Sequence, residues 1–240
     1  MSTRDHHLPA ISHDHPDVTG GWLRPAVFGA SDGLVSNVAL IAGVAGGSGG
    51  NSAAIVLAGF AGLAAGAFSM AVGEYTSVAS QSEAAAHEVD KERREIIANP
   101  DAERHELAAM YVAKGLDQDL AHQVARQIHE DVDRAVAVHA REELGVDPHD
   151  LASPMLAAGS SFLAFALGAL VPLLPYLLGA QSLVISVVVT LLALFGCGAV
   201  VTSVTSRTWV YGGGRQVMLG AAAAALTYGI GSLVGASALV

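Results

Sequence analysis

The chain is poor in cysteine, in aromatic residues and in charge. Only 14% of its 240 residues are Asp, Glu, Lys or Arg, and only 5% are aromatic, whereas an ordinary soluble domain carries about 25% charged residues. The lone cysteine, Cys197, excludes an intrachain disulfide and a thiolate cluster for zinc. Basic residues number 12 against 22 acidic ones, which excludes the basic surface by which proteins hold nucleic acid.

What the chain does have is long apolar runs, within a composition that is 52% hydrophobic. A helix needs about 20 apolar residues to cross a hydrocarbon core of about 30 Å. Five stretches meet that requirement, at about 25–46, 53–78, 154–178, 183–206 and 217–239. The sequence therefore predicts an all-α polytopic membrane protein with five transmembrane helices.

Charge gathers in one block, residues 81–150, which holds 17 acidic residues and 8 Lys or Arg. We expect three helices there: a continuation of the second span, a helix from Pro100 to about Lys114, and a helix from Asp117 to about Leu144. Together they form a module inserted between the second and third spans. The predicted domains are a flexible His- and Asp-containing tail (1–21), transmembrane helices 1–2 (22–80), the acidic helical module (81–150) and transmembrane helices 3–5 (151–240).

The basic residues predict the orientation of the chain. If it crosses the membrane five times, every Lys and Arg falls on one side, and the opposite loops, around 46–51 and 179–182, carry no charge. Lys and Arg are enriched in cytoplasmic loops. We therefore expect the N-terminal tail and the acidic module in the cytoplasm and the C-terminus outside, in the cell (inner) membrane.

The predicted spans contain two internal carboxylates, Asp32 and Glu74, and a methionine, Met70, that shares one face of the second helix with Glu74. A charge within the membrane costs at least about 2.5–3.5 kcal/mol, so it is rarely kept without a partner or a function. These three residues are predicted to line a transport pathway for a cation. The alternatives are a structural hydrogen bond from Asp32 to another helix, a solvated position at the interface for Glu74, and simple packing for Met70.

The acidic module carries two pairs of glutamates, Glu92 with Glu95 and Glu103 with Glu106, on either side of a predicted helix break. A spacing of three puts each pair on one helical face, and a fold back at the break would bring the pairs together. Four adjacent carboxylates repel one another unless a cation lies between them. Nearby arginines could neutralise them instead and leave a solvated acidic face. The arginines are Arg93, Arg94 and Arg104.

Near the end of the module, His139 and Glu143 are four residues apart, a spacing that allows both side chains to ligate one ion. Other histidines of the block are typical of a surface; they are His87, His105, His122 and His129. The tail adds a His/Asp cluster that could capture metal weakly, or else is a plain unstructured segment. The tail histidines are His6, His7, His13 and His15.

Several segments together resemble the vacuolar iron transporter family, and the chain looks like a bacterial-type member of it. The segments are Arg24-Pro-Ala-Val-Phe-Gly-Ala-Ser-Asp32-Gly-Leu-Val-Ser-Asn37, Ser69-Met-Ala-Val-Gly-Glu74-Tyr-Thr-Ser77 and Glu142-Glu-Leu-Gly145. The resemblance extends over nearly the whole chain after the tail. The segments identify the family only in combination, because no single segment is specific for it.

The resemblance implies a homodimer of five-helix subunits, with a pathway between the subunits that is lined by the first helix. Family members carry ferrous iron, and often manganese, out of the cytoplasm, and proton antiport is the coupling usually proposed. Asp32 matches the family's intramembrane aspartate, and Met70 matches its pathway methionine. The two glutamate pairs match its cytoplasmic metal ligands with the spacing preserved, so the resemblance favours a metal site over a solvated acidic face.

One position departs from the family pattern. Where plant members have two adjacent methionines, followed after two residues by a glutamate, this chain has His139-Ala140 and then Glu143. An imidazole is a harder ligand than a thioether and shifts the expected preference toward zinc, iron or manganese. Because imidazole also titrates, metal binding is expected to weaken below about pH 6.5.

The leading hypothesis is export of a divalent transition metal, ferrous iron with manganese or zinc as further candidates, by proton antiport. The alternative is a membrane-anchored sensor or buffer that binds metal without moving it. No enzyme activity is expected, because the sequence shows no nucleophile and base arrangement, phosphate loop or redox motif, and no prosthetic group is expected. The predicted partners are divalent metal ions, the lipid bilayer and a second copy of the chain.

Overall fold

A computed structural model describes residues 21–202 and 207–237 of the chain. Across those residues the regular secondary structure is helical, without a strand. Five of the helices are long and apolar enough to cross a membrane. The predicted all-α polytopic membrane fold is confirmed, whereas the predicted tail, 1–21, lies outside the described residues apart from Gly21.

The five long apolar helices are joined by tight turns and by the shorter helices of the module. In chain order the helices are α1 (Leu23–Gly47), α2 (Ser52–Ala98), α3 (Pro100–Ala113), α4 (Gln118–Ile128), α5 (Val132–His139), α6 (Pro154–Leu170), α7 (Leu174–Leu177), α8 (Leu183–Val201) and α9 (Trp209–Ser237). A π-helical turn, Ala140–Leu144, extends α5, and a 3-10 turn, Val171–Leu173, joins α6 to α7.

Helix α2 is the element that connects the apolar bundle to the acidic module. It begins at a cap, since Oδ1 of Asn51 accepts hydrogen bonds from the amides of Ala53 and Ala54, each at 3.1 Å. No proline interrupts its 47 residues, which extend over about 70 Å at 1.5 Å per residue. The helix is therefore longer than its apolar part, 53–78, and its remainder carries Glu92 away from the bundle.

Close contacts at glycines show how the long helices pack and in which direction each one runs. Gly29 lies against the backbone of Ser161 and Gly33 against that of Phe165, so α1 and α6 run parallel, and a Cβ on Gly33 would overlap the carbonyl oxygen of Phe165. Helix α9 also runs parallel to α1, whereas α2 is antiparallel to α1 and α8 is antiparallel to α9. The starts of α1, α6 and α9 therefore share one end of the bundle, the end at which α2 leads into the module.

The third predicted helix of the module, Asp117 to Leu144, is in fact two helices with a break at residues 129–131. Asp131 caps α5, because its carboxylate accepts a hydrogen bond from the amide of Arg134 at 2.9 Å. The guanidinium of Arg134 donates in turn to the carbonyl oxygens of Gln127 and Ile128, at 2.6 and 3.2 Å, at the end of α4. The break folds α5 back so that its last residue, His139, is buried.

Candidate metal sites

Three ligand-bearing side chains of the module meet where α2, α3 and α5 come together. Glu92 lies on the distal part of α2, Glu103 follows the break at Asn99 on α3, and His139 ends α5. One ligand atom from each lies within 4.8 Å of the other two. Glu92 is only 7% exposed and His139 is fully buried. We call these three residues and Glu143 the module cluster.

His139 holds a position between two carboxylates. Its Nδ1 lies 2.7 Å from Oε1 of Glu143 and 2.9 Å from Oε1 of Glu92. One N–H cannot align with both oxygens, and the hydrogen bond is made to Glu143. Oε1 of Glu92 is thus buried at ion-pair distance from the ring yet without a hydrogen-bond donor. A buried acceptor in that state is unfavourable by about 1–3 kcal/mol or more, and a cation among these atoms would relieve it.

Basic side chains do not neutralise the cluster. The three arginines considered as partners of the glutamates each bind an aspartate instead. These ion pairs are Arg93 with Asp133 at 2.6 Å, Arg94 with Asp90 at 2.6 Å, and Arg104 with Asp101. Within the described residues, the clustered glutamates therefore have no Lys or Arg partner, and His139 is the only ion-pair partner shown for Glu92 and Glu143.

Burial and mutual repulsion raise the pKa of two of these carboxyl groups, Glu92 and Glu103. Desolvation, and then the charge of Glu143, raises the pKa of Glu92 from 4.5 to about 7, although the imidazole of His139 opposes the shift. Desolvation, and then the charge of Glu106, raises the pKa of Glu103. Glu95 adds to the repulsion at both residues. All four predicted glutamates thus interact, but Glu106 is exposed and Glu95 half-buried at the margin of the cluster.

The π-helical turn positions Glu143 beside His139. On one side of the turn Lys114, at the end of α3, forms an ion pair with Glu142. On the other side Arg141 binds Asp147 at 2.8 Å. Both neighbours of Glu143 in the turn are thus engaged in ion pairs of their own, while the carboxylate of Glu143 contacts the imidazole. Short π-helical segments of this kind are frequent at functional sites.

His129 is a neighbour of the cluster that sequence reasoning left among the surface histidines. Its ring meets that of His139 edge to face, with centroids 5.2 Å apart. Its Nδ1 lies 2.9 Å from the carbonyl oxygen of Ala125, its Nε2 is buried without a partner, and burial lowers its pKa. The spacing of ten residues between His129 and His139 carries no helical signal, because the chain folds back between them.

A second group of polar side chains lines a half-open cavity of about 190 Å³ between α1, α2 and α6, on the side of α1 where Ser36 and Leu40 are exposed. We call it the inner cavity. Its polar lining consists of Asp32, Ser36, Asn37, Ser69 and Met70. Asp32 and Met70, both predicted as pathway residues, therefore line the same cavity, and Ser69 is a lining residue that sequence reasoning missed. In the sequence, the only indication that Ser69 could line the cavity is its position next to Met70.

Asn37 directs an unpaired oxygen toward the inner cavity. Its side chain is 2% exposed, and its Nδ2 donates a hydrogen bond of 2.5 Å to the carbonyl oxygen of Ala169 on α6. Its Oδ1 is buried without a donor. That oxygen faces Gly62 of α2, where a Cβ would lie 3.0 Å away. A Cβ at 62 would also overlap Cδ2 of Leu40, so glycine at this position allows α1 to approach α2 beside the unpaired oxygen.

Asp32 and Met70 make only weak or local contacts around this cavity. Oδ1 of Asp32 accepts a hydrogen bond of 2.5 Å from Ser36, four residues along α1. This bond is local, and no hydrogen bond from Asp32 to another described helix is found. The hydroxyl of Ser161 lies 3.9 Å from the sulfur of Met70. Glu74, one turn further along α2, is half-buried and does not line the inner cavity.

Comparison with known proteins agrees with this architecture. The model of the VIT family matches residues 23–232. A vacuolar iron transporter of Acanthamoeba castellanii is 38% identical over 220 residues, covering 90% of this chain and 79% of that protein. Vacuolar iron transporter 1 of Oryza sativa is 32% identical, and that of Arabidopsis thaliana 31%; each alignment covers 92% of this chain and 90% of the relative. The chain, an integral membrane protein, therefore belongs to the VIT family.

Proposed function

We propose that this protein exports ferrous iron from the cytoplasm, with the module cluster capturing the ion and the inner cavity lying on its path through the membrane. The names of the relatives, vacuolar iron transporters at 31–38% identity, support iron as the cargo. Carboxylate, amide and imidazole ligands beside one thioether also suit a borderline ion. Manganese and zinc are the competing cargoes to test.

The observation that carries the proposal is the inner cavity. A carboxylate at Asp32, the unpaired oxygen of Asn37 and the sulfur of Met70 border one small half-open cavity between the apolar helices α1, α2 and α6. Polar groups in the membrane are retained at a free-energy cost and mark ion pathways. A protein that only bound metal in its module would need no such group of ligands between its spans.

Capture and transfer can then be described as ligand exchange. In the module, an ion would replace the proton that Glu92 holds up to a pH of about 7, and it would cancel the repulsion among the carboxylates. In the bundle, Asp32 would carry the ion or a proton in turn. Alternation of the two at one carboxylate is the basis of the proton antiport that we propose.

We infer the direction of transport from the charge distribution. The module and the starts of α1, α6 and α9 lie at one end of the bundle, and the positive-inside rule assigns this end to the cytoplasm. On that basis the ion enters from the module side and leaves at the opposite face. We propose the cell membrane as the location, with export as the result.

We also propose that the protein acts as a homodimer built on α1. Phe28 and Leu40 of this helix are 59% and 39% exposed, with Asp32 and the exposed Ser36 between them at four-residue spacing. This stripe is one face of a helix. A second copy that covered it would shield Asp32 from lipid and enclose the pathway between the subunits.

A membrane-anchored metal buffer is the second candidate, because Glu92, Glu103, His139 and Glu143 all belong to the module and need no residue of the bundle. Transport and binding can be separated in proteoliposomes loaded with an iron-sensitive dye. Export predicts iron flux that manganese and zinc inhibit and that an opposing pH gradient accelerates. Saturable binding without flux above that of protein-free liposomes would support the buffer and overturn the transporter.

A further inference from the structure

Two further histidines of the module contact each other away from the module cluster. His105 lies on α3 and His122 on α4, and their rings meet edge to face with centroids 5.5 Å apart. His105 is exposed and His122 is half-buried. His105 follows Glu103 by two residues, which is about 200° around the helix at about 100° per residue. The two histidines, which we call the histidine pair, therefore lie on the opposite side of α3 from the cluster.

A closely packed pair of helices holds the two rings in place. Ala108 of α3 is 1% exposed, and Ala121 and Ala125 of α4 are fully buried in the same core cluster. Small side chains at a helix contact let the two backbones approach closely. Ala108 follows His105 by three residues, and the two alanines of α4 flank His122. Both rings thus project from rigid elements, which hold ligands more precisely than loops do.

The hydrogen bonding of His105 leaves one ring nitrogen available to a metal. Its Nδ1 lies 2.6 Å from the carbonyl oxygen of Asp101, one turn earlier in α3. A carbonyl oxygen only accepts, so Nδ1 carries the proton and Nε2 carries the lone pair. Histidines that bind metal usually donate their other ring N–H to such an oxygen, which fixes the tautomer and the orientation of the ring. Arg104, the basic neighbour of His105, is already paired with the carboxylate of Asp101.

The separation of the two rings suits a single tetrahedral ion. With Zn–N bonds of about 2.1 Å and tetrahedral angles, two imidazoles on one zinc ion have ring centres about 5.3 Å apart. The 5.5 Å between His105 and His122 is close to this value. Two neighbouring ligands of an octahedral ion, at right angles to each other, would bring the centres to about 4.6 Å. The histidine pair therefore fits zinc, which also favours imidazole, better than it fits manganese.

We propose that the histidine pair is an accessory zinc site, separate from the module cluster that captures the transported ion. Nε2 of His105 and a ring nitrogen of His122 are the protein ligands. Water completes the coordination shell, because His105 is open to solvent. The bound ion cross-links α3, which carries Glu103, to α4, and so stabilises the module without occupying a ligand of the transported ion. This site uses no residue of the proposed transport pathway, so the two proposals can fail separately.

Calorimetric titration of the full-length protein with Zn²⁺, together with equilibrium dialysis to count bound ions, tests the proposal. The double variant His105→Gln/His122→Gln should bind one zinc ion fewer per chain than the wild type, and each single variant should weaken that ion at least about tenfold. Binding of Mn²⁺ should be the same in all these proteins. His87→Gln/His149→Gln, which removes two other exposed histidines, is the matched control and should keep the wild-type zinc count. Every protein in the series keeps the tail histidines, so weak binding there cancels.

Thermal unfolding separates a ligand role from a structural one. Without metal, His105→Gln/His122→Gln should melt close to the wild-type temperature, and only the increase in melting temperature caused by Zn²⁺ should become smaller. An unchanged zinc count in the double variant would overturn the proposal. Equal loss of zinc and manganese would overturn it too, because the pair would then only support the module cluster. These readouts do not depend on iron transport.

Discussion

The Nδ1 atom of His139 lies 2.9 Å from the Oε1 atom of Glu92, and both side chains are buried. This contact joins the last residue of α5 to the distal part of α2, 47 positions earlier in the chain. It leaves the glutamate oxygen without a hydrogen bond, since the imidazole donates to Glu143. The buried Glu92 oxygen lies close to the imidazole but accepts no hydrogen bond. A metal ion bound among these atoms would supply the missing partner.

Glu92→Gln is expected to weaken manganese binding to the full-length protein by at least about tenfold, or about 1.4 kcal/mol, because it removes a charged ligand. Without metal, the same change should raise the apparent melting temperature at pH 8, since it removes repulsion with Glu143 and Glu103. Both effects are measured by thermal unfolding with and without Mn²⁺. Glu83→Gln, exposed on the same helix, is the control; a similar response from it would contradict the assignment.

The stability of the metal-free protein should fall as the pH rises from about 4.5 to about 7. In the folded chain Glu92 holds its proton up to a pH of about 7, whereas an unfolded chain loses it near 4.5. The folded state therefore binds more protons in this window, and the free energy of unfolding decreases with pH.

Metal affinity should change in the opposite direction, because protons and metal compete for the same carboxyl. Calorimetric titration with Mn²⁺ at pH 6 and pH 8 should give tighter binding at pH 8, with proton release at pH 6. An affinity that is independent of pH between these values would argue that Glu92 is not a ligand.

Met70→Leu tests the sulfur of the inner cavity. Leucine has nearly the same volume, so folding should be little affected, but the thioether ligand is lost. We expect iron flux in proteoliposomes to fall several-fold, with a smaller effect on manganese because it is the harder ion. Met218 lies on α9 and is 64% exposed. The control variant Met218→Leu should therefore leave both fluxes unchanged. Equal behaviour of the two variants would remove Met70 from the pathway.

Gly33→Ala tests the packing of α1 on α6. The added methyl would overlap the carbonyl oxygen of Phe165, and such overpacking typically costs about 1–3 kcal/mol. The apparent melting temperature should therefore fall. At Gly73 of α2 nothing lies near the added methyl, so Gly73→Ala should be neutral or stabilising through helix propensity. A neutral Gly33→Ala would mean that these helices are not so closely packed.

Much of the fold could be predicted from local sequence signals. The five spans follow from the length of the apolar runs, and Pro100 marks the start of α3, although the side chain of Asn99 before it makes no capping hydrogen bond. The break between α4 and α5 was missed because 117–144 has no glycine or proline within it. Asp131 and Arg134 make that break through a cap and bonds to carbonyl oxygens, and Asp131 would have been the signal to use.

The sites could be predicted only in part. Contacts between residues on different helices produce no periodic pattern in the sequence. The spacing of Glu92 and Glu103 indicated a shared site, but it could not show that Arg93 and Arg104 turn to aspartates instead. Nor could it show that the ring of His129 meets that of His139 edge to face. Each of these contacts depends on how α5 folds back, which is a property of the tertiary structure.

Asp32→Asn gives the most direct test of the central claim, that iron crosses the membrane beside this carboxylate. Asparagine keeps the size and the hydrogen bond with Ser36 but removes the charge. In proteoliposomes the variant should lose ferrous iron flux while retaining Mn²⁺ binding by the module, and Asp150→Asn, an exposed control, should transport normally. Flux of Asp32→Asn equal to that of the wild type would contradict the account.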